Sequence, residues 1–295
     1  MKYAWMREQA DSFPIVVMCE VLEVSSSGYY DWLDRPLSPR AERHERIQEA
    51  VKQVYSQSHE IYGSVKVAKG LKEDPQQETA CRNTVARCMR ELGLKSRVSR
   101  RSFKPTTTQT DPSKTPAPNV LDQDFTAEAP DRKWVTDITY LPTAQGWVYL
   151  AVVLDLFSRK VVGWSLSNSL ATELVTEALR KAIEARKPEG GKLLHHSDRG
   201  CQYTSEAYQS VLKNLGIECS MSRTGCCYDN AVMERFFWSL KYEWTNHETF
   251  ANLEDVRLSV FRYLETFYNS QRLHQTLGYL SPNQFEANHA AKVAV

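Results

Sequence analysis

Apolar positions along this chain follow two rhythms, and the change falls between residues 105 and 124. Before it, apolar side chains recur every three or four residues, the period of a helix face. Ile15, Val17, Met18, Val21 and Leu22 predict one short helix. Tyr29, Tyr30, Trp32 and Leu33 predict a second, with Glu23-Val24-Ser25 as the break and Ser26 or Ser27 as the cap. The pair has helix-turn-helix dimensions. Arg40–Val54 reads as a charged amphipathic helix with Ile47, Val51 and Val54 on one side, followed by another carrying Val65, Val67 and Leu71. Asn83 or Thr84 caps a third, which turns Val85, Cys88, Met89 and Leu92 inward and ends at Gly93.

After residue 124 the period becomes two. In Trp134–Leu141, Trp134, Thr136, Ile138 and Tyr140 face one way and Val135, Asp137, Thr139 and Leu141 the other. Both sets are largely apolar or aromatic, so the strand is central and covered on both sides. Gln145-Gly146 marks a tight turn. Trp147–Leu156 and Lys160–Leu166 then complete an antiparallel meander. Ala171–Arg186 is an amphipathic helix with Leu174, Val175, Ala178, Leu179, Ala182 and Ile183 inside. A short strand at Lys192–His196, a helix at Ser205–Leu215, a strand at Ile217–Met221 and a long helix after Asp229-Asn230 follow. Three antiparallel strands and then two helical crossovers describe an α/β fold, a mixed five-stranded sheet of the ribonuclease-H-like kind.

The stretch between the two rhythms, Pro105–Pro118, holds four prolines and five threonines, which favour extended chain over a core. The expected organisation is a helical segment over 1–38, a basic helix-turn-helix-like domain over 39–104, a linker over 105–124, and a catalytic core with a C-terminal helix over 125–288.

Composition narrows the class only a little. With 42% hydrophobic and 25% charged residues, the chain is an ordinary globular protein. No apolar run reaches the ~20 residues of a membrane span, and the first residues lack a signal-peptide core. The expectation is a cytoplasmic protein without membrane contact. The seven cysteines form no CxxC pair, so reduced thiols are expected rather than a structural zinc site. Net charge is only +1, but Thr79–Pro105 sets Arg82, Arg87, Arg90, Lys95, Arg97, Arg100, Arg101 and Lys104 against Glu91 alone. That excess points to phosphates, hence to DNA.

Candidate chemistry begins with Asp137. Aspartate is depleted in strands, and an unpaired carboxylate in a covered strand costs several kcal/mol. A divalent cation answers that cost. Asp198 follows the fourth strand, so parallel pairing of strands one and four brings it beside Asp137 near strand carboxyl ends. Glu234 lies on the long helix, whose inner stripe is Met233, Phe236, Phe237, Leu240 and Trp244. Glu234, Trp238 and Lys241 share an adjacent face, with Lys241 about 10 Å along the helix. An all-oxygen donor set favours Mg2+ or Mn2+, and two such ions suit in-line phosphoryl displacement without a protein nucleophile.

The segments Trp134–Leu141, His196–Tyr203 and Tyr228–Glu243 resemble the DDE signature of retroviral-integrase-like transposases. Thirty-five residues separate Asp198 from Glu234, and Lys241 follows the glutamate by seven. Met1-Lys-Tyr-Ala, the stretch Val24–Tyr30, His59–Gly63 and the tail Tyr268–Pro282 resemble the second-reading-frame product of the insertion-sequence-three group. The resemblance implies metal-dependent cleavage of element ends, strand transfer by a 3′-hydroxyl, and assembly on DNA as an oligomer. It also implies a partner or fused part from the upstream reading frame, because this chain shows no sustained heptads before Asp137. The rival reading is a DNA-binding regulator whose metal site is idle.

Other residues stay open at this point. Asp155 is a strand-end carboxylate or approaches the metals. His195 and His196 point oppositely, and one of them contacts DNA or orients Asp198. Asp229 is read as a helix cap. Arg223, Arg235 and Lys241 are candidate phosphate contacts. Tyr268, Arg272, His274 and Tyr279 either bind DNA or pin the C-terminal helix to the sheet.

Overall fold

The computed structural model describes residues 1–98, 116–224 and 226–293, and the backbone alone of Cys227. Three short helices open the chain: α1 (Lys2–Glu8), α2 (Ile15–Leu22) and α3 (Ser26–Asp34). They close around Met6, Met18, Cys19 and Tyr29 as a small core of their own. The cap of α3 is Ser25, whose Oγ accepts from Gly28 N, one residue earlier than expected. Val17, Val21, Tyr30 and Leu33, expected inside, are exposed. Helices of eight and nine residues bury only a narrow stripe, so the rest of each apolar face stays outside.

The second unit is α4 (Pro39–Gln57), α5 (Ser64–Gly70) and α6 (Arg82–Glu91). Ser38 Oγ accepts from Ala41 N and Pro39 follows, a strong helix start. Ile47, Val51, Val54, Val67, Leu71, Val85, Cys88 and Met89 form its centre. His44 Nε2 lies 2.8 Å from Glu91 Oε2 and ties α4 to α6. The N-cap of α6 is Cys81 without a side-chain bond, so neither Asn83 nor Thr84 caps it. Gly93 takes φ +68° and stops the helix.

This unit does not hang free. The Tyr62 hydroxyl donates to Gln271 O at 3.1 Å and accepts from Leu273 N at 2.7 Å. The His59 ring packs edge-on against Trp244 and Phe267. Its apolar residues join one continuous core with one face of the sheet. Of the expected linker, 105–115 lies outside the described residues. Residues 116–124 are packed: Leu121 is buried, and Val120 N and Leu121 N both donate to Ser220 Oγ.

The sheet has the order β3-β2-β1-β4-β5. Its strands are β1 (Lys133–Thr143), β2 (Gly146–Asp155), β3 (Val161–Ser167), β4 (Leu194–Ser197) and β5 (Glu218–Met221). The first three pair antiparallel, and β1–β4 and β4–β5 pair parallel, as the strand–helix pattern requires. One face carries α7 (Thr172–Arg186) and α8 (Glu206–Asn214), packed on Trp134, Ala151, Val153 and Val162. Gly163 lets α7 approach: a Cβ there would sit 2.3 Å from Ala178 O. The other face carries α9 (Ala231–Glu243) and α10 (Leu253–Phe261), the latter running on as a π-helical turn over Arg262–Tyr268. Met233, Phe236, Phe237, Leu240 and Trp244 are all buried, each worth roughly 1.5–3 kcal/mol. The last helix is α11 (Pro282–Val293). Among the described residues no helix is long and apolar enough to cross a membrane.

Candidate active site

The parallel register pairs Val135 with His196. Two residues further along each chain stand Asp137 and Asp198. The start of α9 is fastened to the same place, because Asn230 Nδ2 donates to Thr136 O at 3.2 Å. Glu234 falls in the first turn of that helix. A strand, a strand end and a helix start, 97 residues apart in total, therefore meet where β4 ends beside the middle strand of the sheet.

Electrostatics agree with that placement. Burial pushes the Asp137 carboxyl well above the usual carboxylate range, Asp198 adds to the rise, and Glu234 adds further. The Ile138 N–H, donating to Asp137 Oδ1 at 2.8 Å, and the Lys241 ammonium oppose it. Lys241 is itself lowered by burial and held up by Asp137. Its Nζ stands 4.6 Å from the centre of the Tyr140 ring. Asp198 Oδ1 accepts from Gly200 N at 2.9 Å, which sets the rotamer of a residue on a loop. Arg199 braces that loop by donating to Ser222 O and Thr224 Oγ1.

Several expected site residues have other duties. His195 and His196 are buried, at 1% and 0% exposure, so neither reaches DNA. His195 Nε2 pairs with Tyr208 Oη at 2.6 Å, and His196 bridges Ser220 and Ser222. Burial holds both neutral, with pKa values down to about 3 and about 4. Asp155 lies beside Trp134, three residues before Asp137 along β1, and turns away from the acids. It accepts from Asp131 N and Phe157 N, near Arg186, and burial raises it to about 6. Asp229 makes no helix cap. It is buried and accepts from Asn119, Gln123 and the Arg223 backbone and guanidinium. Arg223 pairs with Asp229 through Nε and Nη2 and keeps about half of its side chain exposed.

Arg272 and His274 also leave the DNA-contact set. Arg272 is 7% exposed and makes a two-pronged pair with buried Glu243, at 2.6 Å and 2.5 Å. His274 is 8% exposed, and burial and the Arg272 charge depress its pKa. These residues pin the tail to α9, where the expected structural role was to pin the C-terminal helix to the sheet. Arg235 remains exposed, its guanidinium 4.4 Å over the Trp238 ring. Arg82, Arg87 and Arg90 are exposed on α6, Arg87 within 3.8 Å of Glu91. Arg97 is half-buried, its backbone N donating to Glu60 O. Arg100 and Arg101 lie outside the described residues.

Of the aromatic surroundings, the sequence placed Trp238 on the Glu234 face but gave no role to Trp147 or Tyr242. Trp147 is 52% exposed and meets Tyr140 edge-on at 5.0 Å. Trp238 stacks on Tyr242 at 5.0 Å. The available signal was a tryptophan immediately after the Gly146 turn, diagonal to Tyr140 across the hairpin.

Comparisons with known proteins fit this geometry. Models of the integrase core domain match residues 127–227 and 215–282, and an HTH-like domain model matches residues 42–102. The chain is 40% identical over 293 residues to the transposase InsF of insertion sequence IS3A from Escherichia coli (strain K12), covering 99% of this chain and 100% of InsF. It is 37% identical over 272 residues to an uncharacterized 31 kDa protein of insertion element IS600 from Shigella sonnei, covering 92% and 98%. The HTLV-2 integrase catalytic core domain in complex with magnesium aligns at 16% identity over 54% of this chain and 99% of that one. Its TM-score of 0.43 adds nothing to what the strand order establishes.

Proposed function

The chain belongs to the insertion-sequence transposases that carry an integrase core domain, and from that premise we propose that it cuts and joins DNA at Asp137, Asp198 and Glu234. The observation that carries this reading is the β1–β4 register that sets Asp137 and Asp198 side by side, with the start of α9 tied to Thr136 O; burial and both other acids lift the Asp137 carboxyl. Three acids converge where β4 ends beside the middle strand of the sheet, with the Lys241 ammonium in the field of Asp137. Their donors are all oxygen, which fits a hard dication such as Mg2+ or Mn2+. These three residues would hold it, with two ions when DNA is bound. When bound, such ions activate an attacking oxygen and stabilise the leaving one in phosphoryl transfer.

The remaining work falls to the chain's own residues. The Ile138 N–H fixes the Asp137 carboxylate, and the Gly200 N–H fixes Asp198. Lys241, steadied over Tyr140, offers a cation to a phosphate next to the scissile one. No serine, cysteine or tyrosine nucleophile is required, since water and then a 3′-hydroxyl attack in turn. Arg82, Arg87 and Arg90 on α6 supply contacts to duplex phosphates, with Arg235 nearer the acids. The working assembly is an oligomer on DNA, joined by a product of the upstream reading frame.

The test uses an element-end duplex with Mg2+ and the variants Asp137→Asn, Asp198→Asn and Glu234→Gln. Each is expected to lose cleavage while keeping duplex binding in Ca2+. Wild-type cleavage by any one removes that residue from the mechanism. A regulator would bind and never cut; full-length likeness to a protein named as a transposase makes that reading the weaker one.

A further inference from the structure

Beside the acids lies a row of aromatic rings and cations that metal-dependent cleavage does not by itself require. Two pairs make it up, and they differ in what they leave open. On α9, Trp238 has the Arg235 guanidinium 4.4 Å from its ring and Tyr242 stacked against it at 5.0 Å and 28°. Two neighbours already occupy that ring. On the β1–β2 hairpin, Tyr140 carries the Lys241 ammonium and meets Trp147 in a T-shaped pair at 90°. Trp147 has Tyr140 as its aromatic neighbour and keeps half its surface in solvent. A large ring buttressed on one side and exposed over the other half of its surface is a shelf for a flat apolar partner.

The chemistry around it selects the partner. Lys241 lies within the electrostatic field of Asp137, so Asp137, Lys241, Tyr140 and Trp147 form one contiguous row from the acids outward. Cations beside exposed aromatics suit a phosphate backbone whose bases are free to stack. A paired base has its faces covered by its neighbours, whereas an unpaired one presents them. We propose that Trp147, backed by Tyr140, stacks an unpaired base of DNA whose phosphate backbone is held at Lys241. Trp147 pairs with Pro142 in the register, five residues beyond Asp137, or roughly 17 Å at about 3.3 Å per strand residue. The stacked base therefore belongs to a nucleotide a few positions from the reacting phosphate. The platform holds open a DNA end that would otherwise re-pair.

This inference rests on the reading that the chain binds DNA at the three acids, and the test separates the two. The full-length chain is titrated in Ca2+ with a blunt duplex and with the same duplex carrying three unpaired thymidines. Wild type, Trp147→Phe and Trp147→Ala are compared. The wild type is expected to prefer the tailed duplex, Trp147→Phe to keep most of that preference, and Trp147→Ala to lose it. Stacking of one base corresponds to a change in Kd of about five- to one-hundred-and-fifty-fold. Affinity for the blunt duplex and the salt dependence of binding stay as in wild type, because no charge is removed. Equal binding of both duplexes by wild type overturns the platform and leaves DNA binding intact. So does a Trp147→Ala variant that keeps the tail preference, or one that weakens both duplexes alike. Failure of the wild type to bind either duplex overturns the transposase reading, and the platform with it.

Discussion

Replacing Arg272 with methionine separates a stability role from a DNA-binding role at a residue whose type suits both. The guanidinium places Nε 2.6 Å and Nη2 2.5 Å from the two oxygens of Glu243, and reaches Ser239 Oγ at 3.3 Å. Both partners are buried, at 7% and 3% exposure. Methionine fills much of the volume but leaves the Glu243 carboxylate with the Tyr263 hydroxyl at 3.3 Å as its remaining neutral donor. Breaking one side of such a pair costs about 3–5 kcal/mol. Guanidinium chloride unfolding of Arg272→Met is expected to show that loss as a lower midpoint with an unchanged slope. Adding Glu243→Leu removes the stranded charge and should recover most of the loss. The slope of log K against log salt for duplex binding should match wild type. A loss under about 1 kcal/mol, with that slope reduced by about one, would refute the argument and return Arg272 to the DNA surface.

Asp137→Asn should stabilise the metal-free protein. The folded-state pKa of Asp137 is raised, so its contribution is neutral below the unfolded carboxylate value and turns unfavourable as pH climbs through and past it. The gain in the asparagine variant should open above about pH 4 and level off once pH exceeds the folded-state pKa. Each pKa unit of difference corresponds to about 1.4 kcal/mol; melting curves between pH 4 and 8 read this, and a gap that closes with rising pH would contradict it. Mg2+ should raise the Tm of wild type and not of this variant. Gly163→Ala forces a Cβ within 2.3 Å of Ala178 O and 2.7 Å of Ala182 N, both backbone atoms. It should cost about 3 kcal/mol or more, and a drop under 1 kcal/mol in denaturant titration would show that α7 yields freely.

Much of the catalytic half was legible because its signals are local. Strands β1 to β3 appear as short apolar and β-branched runs parted by tight turns, and α7 and α9 as stripes every three or four residues. All five stripe residues assigned to α9 are buried. Parallel pairing of β1 with β4 followed from the crossover rule and brings Asp198 toward Asp137. Signals failed where a residue type suits two environments. Arg272 carries the charge of a phosphate ligand but is buried against Glu243. Val17 and Val21 have the hydropathy of core but face solvent, since three short helices close a very small interior. Residues 116–124 continue a proline-rich stretch that reads as a tether, yet they lie along β5 through Ser220.

By itself the sequence determined the five strands and most of the helices, though not α1 or α10, and on which elements the three acids ride. It also carried the likeness to integrase-type transposases, because periodicity and motif spacing are properties of short neighbouring stretches. Tertiary structure alone decided which charges are available. Whether an arginine meets a phosphate or a carboxylate depends on what lies across from it, and for Arg272 that is a glutamate 29 residues earlier. It also decided that the helix-turn-helix-like unit sits on the catalytic core, through a tyrosine hydroxyl bonded to a carbonyl 209 residues away. Such contacts leave no periodic trace in the chain: a buried polar atom needs only one partner in reach, and that partner can come from any segment the fold brings near.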